Sequence, residues 1–305
     1  MAEKGSIKLY DPRSFTATFM QPKQELDDLL KFDFGKFFVV RLEDMYRLVS
    51  RPVPPSRSST HICIYVTEGQ AEMKIGSQIC QTSNDGMLFV PAGQVLSFLP
   101  GLDSKGFLCI FHDDMLISKV GMKDPLREFE FLRVWGNPVV KLDKQVSGFV
   151  RQLFDRIFLE YSRSGTEHLD LIRPYLITLL TEVNKVYRPL SASGRAAAVQ
   201  LTNRFKELLF THIRTVHQVS DYAALLHITP NHLNKTVKSI TGKTPARWIG
   251  EAIVLEAKVL LGQSDLSISE VAVAVGFEDQ SYFARLFRRH EGISPTAFRK
   301  MIEMS

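Results

Sequence analysis

The spacing of apolar residues divides the chain into two parts with different periods. Between residues 35 and 112, short apolar runs alternate with turn signals, which is typical of a sandwich or a small barrel of strands. The predicted strands are Phe37–Leu42, Ile62–Val66, Ala71–Ile75, Gly86–Val90 and Phe107–Phe111. The predicted turns are Pro54–Pro55, Glu68–Gly69, Asn84–Gly86, Pro91–Gly93 and Pro100–Gly101.

The second part of the chain follows a helical period. From Gln145 to Tyr161 and from Leu169 to Tyr187, apolar residues recur every three or four positions, which predicts two amphipathic helices. These helices could cap the β-rich part, pair with each other, or pair with a second subunit. The stretch Pro189–Gly194 is typical of a linker. Helical periodicity resumes after it and continues to the end of the chain.

The pattern therefore predicts a multidomain protein with both α and β structure. We expect a β-barrel domain in residues 1–120 and a helical dimerisation or capping region in 121–188. A linker is expected in 189–195, and an all-α domain in 196–305.

An internal repeat lies in this all-α part. Residues 219–228 align with residues 268–277 at an offset of 49, and one extra residue in the second turn makes the offset 50 from there on. Each copy has the pattern of a short helix, a tight turn and a second helix, with Ala223 and Ala272 where the two helices approach. Gly276 supplies the backbone freedom that the second turn needs. The sequence thus predicts two helix-turn-helix units.

One helix is expected to join the two units. Its predicted N-cap is Thr244, followed by Pro245, and its predicted stop is Gly262. Such a helix spans about 27 Å at ~1.5 Å per residue. It could hold two recognition helices roughly one DNA turn apart, about 34 Å, so that both enter successive major grooves.

The second helix of each unit is expected to present polar side chains on its outer face. Apolar residues at 233 and 237 in one copy, and at 283, 286 and 287 in the other, should face inward. The outward residues are then Asn231, Asn234, Lys235 and Lys238 in the first copy, and Gln280, Ser281, Arg285, Arg288 and Arg289 in the second. Asn and Gln can read adenine, Arg can read guanine, and the other cations suit phosphates. One such face is what any solvated helix offers, but two matching copies indicate binding to double-stranded DNA.

Composition and charge limit the classes of protein to which this chain can belong. The 305 residues are 45% hydrophobic and 23% charged, as in globular proteins of two domains. Residues 191–305 hold 14 Lys and Arg against 10 Asp and Glu, so this part carries +4 of the formal +5. That excess is compatible with phosphate binding. The three cysteines form no CxxC pair, which argues against a disulfide scaffold or a cysteine zinc site. We expect a cytoplasmic protein, because neither a membrane-spanning run nor a signal peptide is visible.

The C-terminal third resembles the signature of the AraC/XylS family of regulators over about residues 196–301. The resemblance is carried by Glu256-Ala257-Lys258-x-x-Leu261, Ser267–Ala272, Val275-Gly276-Phe277, Asp279–Phe283, Arg285-x-Phe287-Arg288, Gly292-x-Ser294-Pro295 and Phe298-Arg299. It implies a seven-helix DNA-binding domain in which the outward positions of both second helices contact bases, here Asn231, Asn234 and Lys235, and then Gln280, Ser281 and Arg285. Val237 departs from the large aromatic residue common at that position, which bears on packing. The family further implies a homodimer, RNA polymerase as a partner, and a function that is more often activation than repression.

Residues 35–112 resemble the cupin barrel that many such regulators carry as a sensor. Thr67–Gly69 and Pro91–Gln94 are similar to cupin turns. A metal-binding cupin needs His and Glu ligands, but residues 55–58, Ile62 and Leu96 stand at or near those positions, so we expect neither a metal nor another cofactor. The barrel is expected to bind a small organic effector instead, with Arg41, His61, Tyr65 and Gln94 as candidate lining residues. His61 taken by itself is more often a structural residue than a ligand.

The leading hypothesis is an effector-responsive transcription activator without catalytic residues. One alternative is a cupin enzyme that binds DNA as a secondary function. Another is a barrel that binds no ligand and serves only for dimerisation.

Overall fold

The computed structural model describes residues 9–10, 12–20, 35–49, 52–98, 104–116, 128–134, 136–187 and 196–304. The chain divides into two compact units. One contains residues 9–53 and 57–190, and the other contains residues 191–305 together with residues 54–56. The predicted linker 189–195 and the predicted turn Pro100–Gly101 lie outside the described residues. This layout, an N-terminal part rich in antiparallel sheet followed by an all-helical C-terminal part, confirms the predicted fold class.

The N-terminal unit combines strands with flanking helices. Its described strands are β1 (Leu9–Tyr10), β2 (Phe37–Arg41), β3 (Val53–Ser58), β4 (His61–Ile75), β5 (Gln78–Ser83), β6 (Gly86–Val90), β7 (Val95–Phe98), β8 (Ser104–Phe111) and β9 (Val139–Lys141). Its described helices are α1 (Pro12–Phe19), α2 (Leu42–Leu48), α3 (Lys144–Ser164) and α4 (Leu169–Val186). The two amphipathic helices predicted from periodicity are thus present as α3 and α4.

The long strand β4 belongs to two groups of strands. Its first half pairs antiparallel with β6 and β8, and these pair in turn with β9 and β2. Its second half pairs antiparallel with β5 and β7. The register shifts between Val66 and Glu68, where the β4–β8 pairing contains an irregularity of the β-bulge type. Glu68–Gly69 is therefore part of a continuous strand, and the prediction of a turn between two strands there was wrong.

A second turn prediction also fails. Pro54 and Pro55 lie inside β3, whose neighbours in the sheet are β1 and β7. Proline can occupy a strand where its missing N–H is not needed for the ladder, so a Pro-Pro pair does not by itself require a turn. The predicted strand Phe37–Leu42 ends one residue earlier, because Leu42 begins α2.

The core of this unit forms where α3 and α4 cover one face of the sheet. Side chains alternate along β4, and Tyr65 faces the helices, since its ring stacks on Phe154 of α3 at 5.5 Å. Phe37 of β2 meets Tyr161 of α3 at 5.9 Å on the same side. The buried residues of sheet and helices join in one hydrophobic cluster. The two helices are thus packed within their own unit.

The C-terminal unit consists of helices between residues 196 and 303. In chain order they are α5 (Ala196–His212), α6 (Val219–Leu225), α7 (Pro230–Thr241), α8 (Pro245–Gln263), α9 (Ile268–Ala274), α10 (Gln280–Glu291) and α11 (Pro295–Glu303). Their inward faces form a separate hydrophobic cluster. Helix α8 begins as predicted, with the Thr244 side chain accepting the N–H of Arg247. It continues past Gly262 to Gln263, so the predicted stop at Gly262 was wrong.

Within the part of the chain that the structure describes, every helix is too short or too polar to cross a lipid bilayer.

Candidate functional site

Two helix-turn-helix units lie in the C-terminal unit, α6–α7 and α9–α10. Leu233 and Val237 of α7 are fully buried, as are Phe283 and Phe287 of α10. The small residues predicted at the helix contacts, Ala223 and Ala272, are 0% and 1% exposed. The repeat read from the sequence therefore corresponds to two equivalent structural units. We call α7 and α10 the reading helices.

The turns of the two units use different residues for the same backbone conformation. His227 in the first turn has φ 56° and Gly276 in the second has φ 88°, both in the left-handed region. A Cβ at position 276 would lie 2.4 Å from the carbonyl oxygen of Arg214 and 2.4 Å from His217 Cε1. The second turn thus needs glycine for its conformation and for the close approach of a neighbouring backbone.

Each reading helix has a defined start and end. The Thr229 hydroxyl accepts the N–H of His232 at the start of α7. The Asp279 carboxylate accepts the N–H groups of Ser281 and Tyr282 at the start of α10. Glycines in the left-handed conformation end both helices at positions 242 and 292. These caps fix the length over which each helix can present side chains.

The structure exposes the predicted outward residues on the two reading helices. Those that are exposed are Asn231, Lys235, Lys238, Gln280, Ser281, Arg285, Arg288 and Arg289. Asn234 differs, because it is half-buried and its Nδ2 donates to the carbonyl oxygen of Pro230 at 3.1 Å. At the offset of 50, Asn231, Lys235 and Lys238 correspond to Ser281, Arg285 and Arg288. Each helix therefore presents one amide or hydroxyl followed by two cations at equivalent positions.

Sequence reasoning missed two exposed side chains on the same helices. His232 and Tyr282 occupy equivalent positions, and both are exposed. The Tyr282 ring centroid lies 6.0 Å from the guanidinium carbon of Arg285, so these two side chains are neighbours on the outer face of α10. The signal was present in the repeat alignment, because position 232 matches position 282 next to the residues that were chosen.

The end of α10 packs closely on α8. The His290 ring lies against Gly250, where a Cβ would come within 2.5 Å of Nε2. Burial there lowers the pKa of His290 below its ordinary value, since desolvation disfavours the imidazolium form. On another side of α8, Glu256 is buried and pairs with Arg214, which precedes α6, at 2.9 Å.

Two of the predicted effector-binding residues lie on the helix-covered face of the N-terminal sheet. Arg41 bonds Asp155 of α3 at 3.1 Å, and its guanidinium lies 4.2 Å from the Phe107 ring centroid. The Tyr65 hydroxyl lies 2.8 Å from Ser147 Oγ of α3. Both side chains thus join the sheet to α3.

The other two candidates are engaged elsewhere. His61 is buried, and its Nδ1 accepts the N–H of Ala92 at 3.1 Å. Its Nε2 therefore carries the proton and donates to Asp113 at 2.6 Å, which lowers the pKa of that carboxyl. Gln94 Nε2 donates to the carbonyl of Val134 at 3.1 Å. Arg41 and Tyr65 are both cross-strand neighbours of Phe107 in β8, but no described contact is common to all four predicted lining residues, and each has a structural partner.

The cysteines offer no reactive thiolate. Cys63, Cys80 and Cys109 are free and buried, and burial raises the pKa of each thiol, for Cys80 to about 11. Among the described residues, no group of three or more His, Cys, Asp and Glu side chains is arranged to hold a metal ion.

Comparisons with known proteins agree with this geometry. Residues 222–301 match the family model of a helix-turn-helix domain, which covers both reading helices. The chain is similar to the MmsAB operon regulatory protein of Pseudomonas aeruginosa, with 26% identity over 258 residues, 81% of this chain and 77% of that protein. It is also similar to the transcriptional regulator YisR of Bacillus subtilis, with 27% identity over 176 residues, 57% of this chain. The alignment spans only 59% of the length of YisR.

Two solved structures are similar in part. The DNA-binding domain of AdpA, in complex with a target DNA, has 29% identity and a TM-score of 0.32, over 34% of this chain and 93% of that one. ToxT from Vibrio cholerae has 12% identity and a TM-score of 0.43, over 88% of this chain and 97% of that one.

The duplicated helix-turn-helix units, the sequence motifs that connect them and the match to the domain model point to one family. The C-terminal unit carries a helix-turn-helix domain of the AraC/XylS type.

Proposed function

We propose that this protein is a sequence-specific regulator of transcription that reads double-stranded DNA with α7 and α10. The observation that carries the proposal is the pair of equivalent outward faces described above. Asn231 and Lys235 on one helix correspond to Ser281 and Arg285 on the other. These side chains can form hydrogen bonds with base edges in a major groove.

The charges on the two faces suit a polyanion. Helix α7 contains two lysines and no acidic residue, and α10 contains three arginines and one glutamate. That glutamate, Glu291, is turned toward α8 and pairs with Lys258. Asp279, just before α10, is used as its N-cap. The outer faces therefore carry positive charge, which attracts phosphates and makes binding salt-dependent.

The length of α8 suits simultaneous reading of two grooves. Its 19 residues span about 28 Å, close to the ~34 Å between successive major grooves on one face of DNA. Two reading helices joined by a helix of this length can then contact elements about ten base pairs apart.

Selection of bound sequences from a random duplex pool tests this proposal. The full chain should enrich a site with two short elements about ten base pairs apart. A variant with Asn231→Ala and Lys235→Ala should enrich only one element, and its matched control with Ser281→Ala and Arg285→Ala should enrich only the other. A wild-type protein that enriches no sequence at low salt would refute the proposal.

The proposal also includes the location of the protein, its oligomeric state and its contact with RNA polymerase. The protein acts as a cytoplasmic homodimer and as an activator that contacts RNA polymerase, and it has no catalytic function. In support of a dimer through the helical region 121–188, α3 keeps Phe149 and Leu159 exposed at 45% and 44%. Sedimentation of wild-type protein and of Phe149→Lys tests the dimer, because a buried lysine would weaken the interface.

A small organic effector in the sensor domain, residues 1–120, controls DNA binding in this proposal. Such control requires an effector that binds two states of the protein with different affinity. A ligand specific for the native state must raise its thermal stability, so a metabolite screen by thermal shift tests it. A barrel used only for dimerisation would give no shift. Stoichiometric metal together with turnover would favour the cupin-enzyme alternative.

A further inference from the structure

The last residues of the two reading helices occupy equivalent positions, and both contact α8. Thr241 ends α7 and Glu291 ends α10, and the repeat offset of 50 aligns them. Both side chains bond to α8, the helix between the two helix-turn-helix units. The residue types differ, since one side chain carries a hydroxyl and the other a carboxylate, but both are attached to the same helix.

The first attachment is made by Trp248. Its Nε1 donates to Thr241 Oγ1 at 3.0 Å. The ring is held in place by two cations, with Lys206 Nζ at 4.7 Å and Lys243 Nζ at 5.3 Å from the ring. The Thr241 hydroxyl also lies 2.8 Å from the carbonyl of Val237, one turn earlier in α7. The end of the first reading helix is thus fixed to the first turns of α8.

The second attachment is made by Lys258. Its Nζ donates to Glu291 Oε2 at 2.6 Å, and its side chain is 5% exposed. The same Nζ lies 5.0 Å from the ring of the buried Phe298 in α11. A buried ammonium group has few acceptable partners, so the position of Lys258 constrains the position of the carboxylate it binds.

We infer that α8 sets the placement of both reading helices on DNA through these two bonds, with Lys258 as a positioning residue for α10 and Trp248 for α7. The inference rests on the proposed function, because placement matters only if both helices read one duplex. Trp248 and Lys258 are ten residues apart, about 15 Å along α8. Neither side chain has to touch DNA for its loss to change what is read.

A second ion pair made by α8, through the buried carboxylate of Glu256, separates placement from stability. Glu256 lies two residues before Lys258 and pairs with Arg214, which belongs to neither reading helix. Removal of either cation takes one ion pair from α8, because Arg214→Met removes the pair with the buried Glu256 and Lys258→Met removes the pair with the half-buried Glu291. Loss of stability is therefore common to Arg214→Met and Lys258→Met, whereas misplacement of α10 is specific to the second.

The experiment measures binding of the full chain to three duplexes at a temperature where thermal unfolding shows each variant to be folded. One duplex carries both selected elements, and the others carry the first or the second alone. Lys258→Met should lower affinity for the two-element duplex at least tenfold and leave affinity for the first element within twofold. Thr241→Val should show the opposite preference, and Arg214→Met should favour neither element.

Equal loss at both elements in folded Lys258→Met, or a two-element affinity within twofold of wild type, would overturn the inference. If Lys258→Met does not fold, Thr241→Val decides by the same criteria at the first element. If wild-type protein selects no element at all, the proposed function fails instead, so the two failures can be told apart.

Discussion

Substitution of Gly276 by alanine should destabilise the C-terminal unit more than substitution of either glycine that ends a reading helix. Gly276, Gly242 and Gly292 all have φ between 72° and 88°. At positions 242 and 292 an added Cβ meets nothing within 4 Å. At position 276 it would lie 2.4 Å from the carbonyl oxygen of Arg214, which is part of the backbone and cannot rotate away.

These geometries give separate magnitudes. A residue with a Cβ in the left-handed region costs about 1–2 kcal/mol, and this is the whole expected effect of Gly292→Ala. Overpacking adds roughly 1–3 kcal/mol when neighbouring atoms must shift. We therefore expect Gly276→Ala to lower the free energy of unfolding by about 2–5 kcal/mol, which is the sum of the left-handed cost and the overpacking cost.

Urea denaturation of the full chain, followed by circular dichroism at a helix-sensitive wavelength, measures the difference. The transition of the C-terminal unit is fitted separately, since a chain of two units need not unfold in one step. Equal destabilisation by Gly276→Ala and Gly292→Ala would refute the reasoning, because it would mean that the close approach of the Arg214 backbone contributes nothing.

The other predictions concern caps, DNA contacts and pH. Ser267→Ala removes the capping box of α9 and should cost about 0.5–2 kcal/mol in thermal unfolding, whereas an unchanged Tm would show that the cap is dispensable. Arg285→Ala should relax discrimination at one base position by ~1–3 kcal/mol, and uniform weakening across sequences would remove it from the base-reading set. Lys238→Ala should weaken binding broadly and reduce the salt slope by about 0.9, which a salt titration checks. Because the folded pKa of His290 lies below its ordinary 6.5, stability should be present above pH 6.5 and fall as the pH drops toward the folded value. His290→Gln should remove that slope in pH-dependent unfolding, and a retained slope would assign it to another group.

The helical part of the fold could be predicted closely because its signal is local and repeated. The offset between the two copies placed the buried Leu233 and Phe283, and the same offset identified Lys235 and Arg285 as equivalent outward residues. The end of α8 was harder to predict. Gly262 can remain helical where the surrounding packing stabilises the last turn, and composition alone does not reveal that packing.

The sensor candidates show where sequence reasoning reaches its limit. The period of two along a strand places Arg41 and Tyr65 on defined faces, but only the tertiary structure shows that α3 covers that face. His61 bonds Asp113, 52 residues away, and no local pattern indicates such a pair. Glu68–Gly69 has the composition of a turn, yet the pairing partners of β4 continue on both sides of it. A bulge and a turn use similar residues and differ in what lies across the strand.

Helix α8, which joins the two helix-turn-helix units, also restricts how the C-terminal unit can change in evolution. Each residue inserted into α8 between Trp248 and Lys258 would rotate the second unit by about 100° and advance it by about 1.5 Å. Seven inserted residues nearly restore the rotation, but on a duplex parallel to α8 they advance the unit by about three base pairs, to a different side of the DNA. No insertion much shorter than a whole DNA turn satisfies both helical periods. We therefore expect recognition of new operators to arise by substitution on the reading helices, with the length of α8 unchanged.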